Sequence, residues 1–430
     1  MDLLSANDRP GEYPASFYAA TANAVLDAPA LQGDLHADVC VVGGGFTGLS
    51  TALHLAQQGK SVALVEANRI GWGASGRNGG QVGSGQRLDP LDMQRMLGAE
   101  TARKLWDLAF EATELVRALI AEHQIACDYR PGVLHSVIKP RDVGHLREYV
   151  DHLRGEYDHQ AVRFVDRDEI CEMLGTQMYQ AGSLDTSAGH LHPLNYALGL
   201  GHAARKAGAQ LFERSRVTSI SGRKVTTEAG SVTAEHVVLA CNGYLGGLDS
   251  SVAARVMPIN NFIVATEPLR EEMAHSLIRD NVAVADSKFV VNYFRLSPDN
   301  RMIFGGGETY SYKFPNDIPA LVRPNMLEVY PQLKDARIDY GWGGTLAITM
   351  NRLPLFEELS PGLLSASGFS GHGVALATMA GKVVAAKIAG DGQQFDLMAN
   401  VPTPRFPGGS KFRSALLVLA MTWYSLRDRI

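Results

Sequence analysis

A chain of 430 residues, 46% apolar and 20% charged, has the make-up of a globular protein of two or three domains that buries roughly three quarters of its unfolded surface. With 40 Lys and Arg against 45 Asp and Glu, a formal charge of −5 gives no footprint for a polyanion, so nucleic acid is excluded as the main partner. Four cysteines without a CxxC pair, and no His or Cys at zinc-ligand spacing, exclude a structural zinc or redox dithiol.

Cys40 and Cys241 sit in or at the end of apolar runs, where a free thiol behaves as a small hydrophobe, and a reducing cytoplasm fits. The N-terminal MDLLSANDRPGEYPASFYAAT lacks the basic and apolar regions of a signal peptide. Near the other end the apolar run from Ala415 to Tyr424 falls short of the roughly 20 residues that span a bilayer. A terminal helix docked on the body is the expectation, with peripheral membrane contact through that helix as the alternative.

In chain order, Asp38 to Val42 reads as a β-branched strand, Leu49 to Gln58 as a helix stopped by Gly59, and Ser61 to Val65 as the next strand: one βαβ unit. A glycine-dense loop from Gly71 to Gly85 follows, then helical spacing from about Leu91 to His123. Residues 129 to 172 mix short strands and helical turns. A helix runs from about Leu194 to a stop at Gly208, and two strands follow, ending in EHVVLA before Cys241, Asn242 and Gly243. Residues 257 to 310 are rich in strand, including Phe289 to Leu296. Late in the chain a strand at Gly362 to Ala366 enters Gly368 to Gly373, and Val374 to Ile388 is helical. The predicted class is α/β, α+β overall. A glutathione-reductase-like Rossmann domain (34–124, 185–250 and 340–395) is interleaved with a mostly antiparallel β domain (125–184 and 251–339), between an N-terminal extension (1–33) and a C-terminal tail (396–430).

The 44 glycines, about one residue in ten against a usual 7% or so, gather where a cofactor would need them. Gly43, Gly45 and Gly48 form GxGxxG directly after a strand and open a helix. They permit the tight turn, backbone approach to a pyrophosphate and close helix packing, and the helix N-terminus, with Phe46 and Thr47, offers free amides. Glu66 ends the second strand 18 residues after Gly48, where a carboxylate meets ribose hydroxyls. FAD and NAD share this fingerprint, and the next segment distinguishes them. GWGASGRNGGQVGSG carries seven glycines, which suits a backbone passing under a flat ring, while Ser75, Arg77 and Asn78 supply donors to pyrophosphate or flavin. In GFSGHG, Gly371, His372 and Gly373 open a second helix at Val374, and its N-terminus would stabilise charge that collects on a reduced flavin.

Together GGGFTG, the Glu66 strand end, GWGASGRNGGQ, LACNGY and GFSGHGV resemble the glycine oxidase, D-amino-acid oxidase and sarcosine oxidase superfamily of FAD enzymes. SFYAAT, YFRLSPDNRMIFGGG and YGWGGTLAITMNRLP are most similar to its γ-glutamylputrescine oxidoreductase branch. The resemblance implies oxidation of an amine C–N bond and an FAD cradle that also takes in Ala67, Trp72, Ala74, Gly79, Gly80, Gln81, Val217, Cys241, Gly243 and Gly344. Some members tether the flavin through a cysteine, and residues 342–349 contain none, so FAD is expected to be noncovalent.

The reaction expected is hydride transfer to flavin N5 from the carbon next to a neutral amine, the imine then being hydrolysed to an aldehyde or oxo product. Neutralising an alkyl ammonium of pKa ~10.4 costs roughly 4 kcal/mol at physiological pH, which desolvation, worth up to ~3–5 pKa units, can supply without a dedicated base. Tyr293, Phe294, Tyr340 and Trp342 are candidate pocket walls, with ordinary strand packing or core as the alternatives. Arg295 is a candidate partner for a substrate carboxylate, a salt bridge being the alternative, and His372 a contact to the ring or its water. Oxygen or another acceptor takes the electrons, and Lys288 is the candidate lysine for activating oxygen, a solvated strand end being the alternative. A different amine such as sarcosine, glycine or a D-amino acid, or a flavin-binding electron-transfer subunit, are the rival readings.

Overall fold

A computed structural model of the protein describes residues 2–309 and 311–408. Two sheets organise these residues. The eight-stranded sheet runs β16 (Leu355–Ser360), β17 (Leu363–Ser367), β10 (Gly230–Leu239), β1 (Gly33–Val42), β2 (Val62–Val65) and β7 (Gln210–Phe212), with β8 (Val217–Ser221) and β9 (Lys224–Thr227) continuing from β10. From β17 to β7 every pairing is parallel. Parallel strands are covered on both faces, so they read as unbroken apolar runs: Val39, Cys40, Val41 and Val42 are all buried. Helix Phe46–Gln57 connects β1 to β2. Helix Gly373–Ile388 lies against it so closely that a Cβ on Gly381 would stand 2.5 Å from the Thr47 carbonyl oxygen, and the Ser50 hydroxyl donates to the Thr378 carbonyl at 2.6 Å.

The nine-stranded sheet runs β15 (Ile338–Ile348), β11 (Met257–Thr266), β14 (Met302–Thr309), β13 (Tyr293–Leu296), β12 (Ala283–Asp286), β4 (Arg130–Val137), β6 (Ala181–His190) and β3 (Gln81–Val82), with β5 (Val162–Val165) also on β6. All its pairings are antiparallel except β12 with β4. Period-two alternation splits its side chains between two cores. Phe262, Phe294 and Phe304 pack with Met326 and Tyr330 beside helix Ile318–Val329, the Phe294 and Phe304 rings stacked at 5.3 Å. Ile263, Ile303 and Trp342, with Tyr293 against them, turn the other way into the core around the first sheet's helices.

Several expectations shift. The helix expected over Leu91–His123 is two, Pro90–Leu97 and Ala99–Glu122, divided at Gly98, whose φ of +83° is a left-handed stop that glycine tolerates. Strand character begins at Tyr293 and not Phe289. The boundaries expected at 185 and 340 fall inside β6 and β15 of the nine-stranded sheet, and we propose placing them after His190 and Ile348. No single helix among the described residues is long and apolar enough to cross a membrane. The apolar run Ala415–Tyr424 lies outside the described residues.

Candidate functional site

Where β1 meets helix Phe46–Gln57 the chain turns through Gly43 at φ +110°. A Cβ on Gly48 would sit 1.9 Å from the Gly43 carbonyl oxygen, so the third glycine is what lets the helix close on the turn. Gly45 caps this helix without a side-chain hydrogen bond, leaving amides available, and Ser75 Oγ accepts the Phe46 amide at 3.0 Å. The Phe46 ring packs on Tyr196 at 5.4 Å and Thr47 is buried, so both would serve through backbone. At the end of β2, Glu66 accepts the Gly44 amide at 2.7 Å and the Asn68 amide at 2.8 Å. Burial raises its carboxyl pKa, against the lowering effect of those amides.

A cavity of about 730 Å³ opens in front of these groups, within the range of cofactor sites. Val42, Val65 and Val217 form an apolar end beside Glu66 and Ala67. Gly43 to Gly45 follow, and Trp72, Ala74, Ser75, Cys241 and Gly243 continue the lining. An apolar slot, a carboxylate for hydroxyls, then a helix N-terminus for phosphates is the donor set an extended dinucleotide requires, and the residues present fit FAD.

The rest of the glycine loop lies outside this cavity. The Asn78 amide donates to the Ala74 and Ser75 carbonyls while its oxygen accepts the Gly80 amide. Arg77 gives Nε to the Trp72 carbonyl and Nη1 to Asp8 and the Gly343 carbonyl. The expected donors to cofactor are therefore Ser75 and the backbone, with Asn78 and Arg77 shaping the loop. Beyond them the loop threads between two rings. A Cβ at Gly79 would lie 2.7 Å from the Tyr293 ring, and one at Gly83 2.7 Å from His372 Nε2. A Cβ at Gly80 would meet the Leu191 carbonyl at 2.0 Å, and Gln81 donates to the Val284 carbonyl. His372, between Gly371 and Gly373, caps helix Gly373–Ile388, whose first turn includes the buried Val374. Gly344 faces Arg77, with room for a Cβ only 3.2 Å from the Arg77 Cβ.

On the facing sheet, His135, Ala285, Tyr293, Gly305, Ile263 and Trp342 stand in register across six strands, one row on the face toward the loop. Tyr293 lies across Gly305, where a Cβ would be 2.1 Å from its ring, and its hydroxyl makes a short hydrogen bond to Asn261 Oδ1. Tyr293 thus joins the sheet to the glycine loop. Other expectations are corrected. Trp342 is buried and donates Nε1 to the Arg77 carbonyl at 3.0 Å, which makes it core. Buried Arg295 donates to the Gly79, Leu191 and Leu296 carbonyls and the Tyr18 hydroxyl, so it clamps strand to loop instead of waiting for a carboxylate. Lys288 pairs with Glu328 at 2.6 Å, turned to helix Ile318–Val329. Tyr340 packs edge-on to Phe17, and Phe294 faces the other core.

Motif reading missed Arg87 and His135. Both keep solvent-accessible surface although densely surrounded. Burial, then the charge of Arg352, lowers the Arg87 pKa. Burial, then Arg87 and His135, takes the His372 imidazole down to about 3, so it is neutral at physiological pH. Beside His372, the Ser84 hydroxyl makes a short hydrogen bond to Asp185, which also accepts from Ser187 Oγ and pairs with His159. Burial raises the Asp185 pKa, but these hydrogen bonds outweigh it and hold the carboxyl well below its ordinary range.

Comparison with known proteins agrees with this geometry. Residues 38–387 match the DAO family, described as FAD dependent oxidoreductase. A probable oxidoreductase OrdL of Rhizobium meliloti is 42% identical over 96% of this chain and 97% of its own. The γ-glutamylputrescine oxidoreductase of Escherichia coli is 40% identical over 97% of this chain and 99% of its own. The fold matches that of glycine oxidase from Geobacillus kaustophilus with a TM-score of 0.71 at 22% identity, covering 83% of this chain and 95% of the other. A dinucleotide cavity behind a GxGxxG turn and a family match across both sheets lead to one assignment: the chain belongs to the DAO family of FAD-dependent oxidoreductases.

Proposed function

We propose that the protein oxidises the C–N bond of an amine that carries an anionic head at its far end, γ-glutamylputrescine being the best-fitting substrate. The observation that carries this reading is the positive charge the fold gathers at Arg87 and Arg352, next to His372 and His135. A carboxylate placed beside it gains charge-assisted hydrogen bonds, worth about 1.5–3 kcal/mol each. The 40% identical relative named for γ-glutamylputrescine supports the same choice. FAD held noncovalently by Gly43, Gly45, Glu66 and Ser75 would supply the acceptor for a hydride from the carbon adjacent to the amine. The chain's own residues bind and orient the substrate and exclude water. Arg87 anchors the carboxylate, and Tyr293 walls the amine end. Its phenol, raised far above its usual pKa by burial first and then by Tyr18 and Glu308, stays protonated and donates to Asn261. Neutral His372 carries no charge to oppose an entering ammonium, and with a pKa of about 3 it is too weak a base to remove the amine's proton. Desolvation at this wall lowers the substrate amine's pKa.

A pH profile follows. Below the amine's pKa, kcat/KM is expected to rise tenfold per pH unit, because only the neutral amine reacts. No added inflection is expected between pH 5 and 8, because His372 is already neutral there. An inflection near pH 6.5 that disappears in His372→Asn would contradict the assignment of a neutral imidazole.

Turnover of γ-glutamylputrescine, putrescine, sarcosine and D-alanine, followed by aldehyde or oxo-acid formation, tests the substrate directly. The highest kcat/KM is expected for γ-glutamylputrescine, and preference for sarcosine or D-alanine would reassign the substrate class. Peroxide formed in air in step with product identifies oxygen as the acceptor.

A further inference from the structure

The N-terminal segment lies over the cofactor cavity. Asp2, Leu3 and Leu4 form part of its wall, together with Arg216 and Val217. The segment is tied to the loop behind β2 at four places. Gly11 donates to Asn68 Oδ1 at 2.8 Å, the Tyr13 hydroxyl to the Ile70 carbonyl at 2.7 Å, Trp72 Nε1 to the Glu12 carbonyl at 2.8 Å, and Arg77 to Asp8 at 2.7 Å. A fifth tie reaches the β-rich half: Asn7 donates to the Tyr312 carbonyl and accepts the Phe314 amide. Two ion pairs differ in kind. Asp2 with Arg216 is exposed, at 38% and 46% of side-chain surface, where such pairs contribute little. Asp8 with Arg77 is enclosed, at 15% and 1%, and removing one partner of a buried pair leaves an uncompensated charge.

We propose that residues 2–13 are a cofactor strap: they close the outer wall of the dinucleotide cavity, FAD leaves only when they lift, and the Asp8–Arg77 pair is the latch. Asp8 acts as a positioning residue, since it touches Arg77 and not the cavity. Leu3 and Leu4 seal the opening against water, and Asn7 makes strap closure depend on the β-rich half being in place. This inference rests on the cofactor assignment alone and is independent of which amine is oxidised.

The test is FAD release from the purified holoprotein, read as recovery of free-flavin fluorescence after dilution, at a temperature well below unfolding. Asp8→Asn is expected to speed dissociation at least tenfold. Asp107→Asn, in the exposed Arg103 pair that lines no part of the cavity, should stay within about twofold of the parent. Hydrogen exchange at the Gly11 and Phe314 amides should be slow in the holoprotein and accelerate in Asp8→Asn alone. A dissociation rate that is unchanged in Asp8→Asn would overturn the latch. If Asp8→Asn accelerates release but those amides exchange as in the parent, the strap is overturned as the route. If Asp8→Asn does not fold, deletion of residues 2–7, which keeps Asp8, decides the matter: release must accelerate, and an unchanged rate overturns the proposal.

Discussion

Gly48→Ala is expected to cost the protein its cofactor. The added Cβ would fall 1.9 Å from the Gly43 carbonyl oxygen and 3.2 Å from Val41, and Gly43 has nowhere to retreat. It already holds φ at +110°, and its own Cβ position is 2.8 Å from the Ala240 carbonyl oxygen. Forcing a methyl into such a contact costs about 1–3 kcal/mol or more, and here the strain falls on the amides that would hold the phosphates. The FAD retained after purification should drop about tenfold or further, because 1.4 kcal/mol is a factor of ten in affinity. Gly247→Ala is the matched control. Gly247 lines the same cavity, no atom lies within 4 Å of its Cβ position, and its φ is not in the left-handed region. It should retain FAD at the parent's level. Flavin absorbance per mole of protein checks both variants, and equal loss in the two would remove the close-approach argument.

Arg87→Ala is expected to raise KM for γ-glutamylputrescine about 10- to 100-fold, the equivalent of about 1.5–3 kcal/mol for a hydrogen bond to a charged group. Its effect on kcat should be small, because the guanidinium binds the far end of the substrate in ground and transition states alike. Putrescine lacks the carboxylate, so its kcat/KM should hardly change. The contrast between the two substrates separates carboxylate recognition from a general disturbance of the loop after β3. Arg295→Ala would behave differently. With four hydrogen bonds joining Tyr18, Gly79, Leu191 and Leu296, its removal should weaken both substrates together and lower stability.

Local geometry was legible in the chain. The turn at Gly43 to Gly48, Glu66 at the end of β2 and the helix after His372 each obey rules that operate within a few residues, and the structure places them as the sequence implies. The glycine excess resolves in the same way: Gly48, Gly79, Gly80 and Gly83 stand where a Cβ would strike a backbone oxygen or a ring. What was not legible depends on partners far away in sequence. Arg295 looked available because nothing in YFRL reveals that the Gly79 and Leu191 carbonyls lie above it. Arg87 follows the glycine loop with no motif of its own, and its meaning comes from Arg352 and His372, which reach it through another part of the chain. The Asp8–Arg77 pair joins residues 69 apart, and only the folded N-terminal segment brings them together. Strand β15 was visible only through the motif YGWGGTLAITMNRLP, and its place at the edge of the second sheet is set by pairing with β11.

The most direct test mixes the oxidised holoprotein with γ-glutamylputrescine in the absence of oxygen and follows the flavin band near roughly 450 nm, a property of the cofactor itself. Full bleaching within a single turnover, with one equivalent of aldehyde formed per flavin, is the result predicted here. A band that stays unchanged with γ-glutamylputrescine, in protein that carries its full complement of FAD, would contradict it.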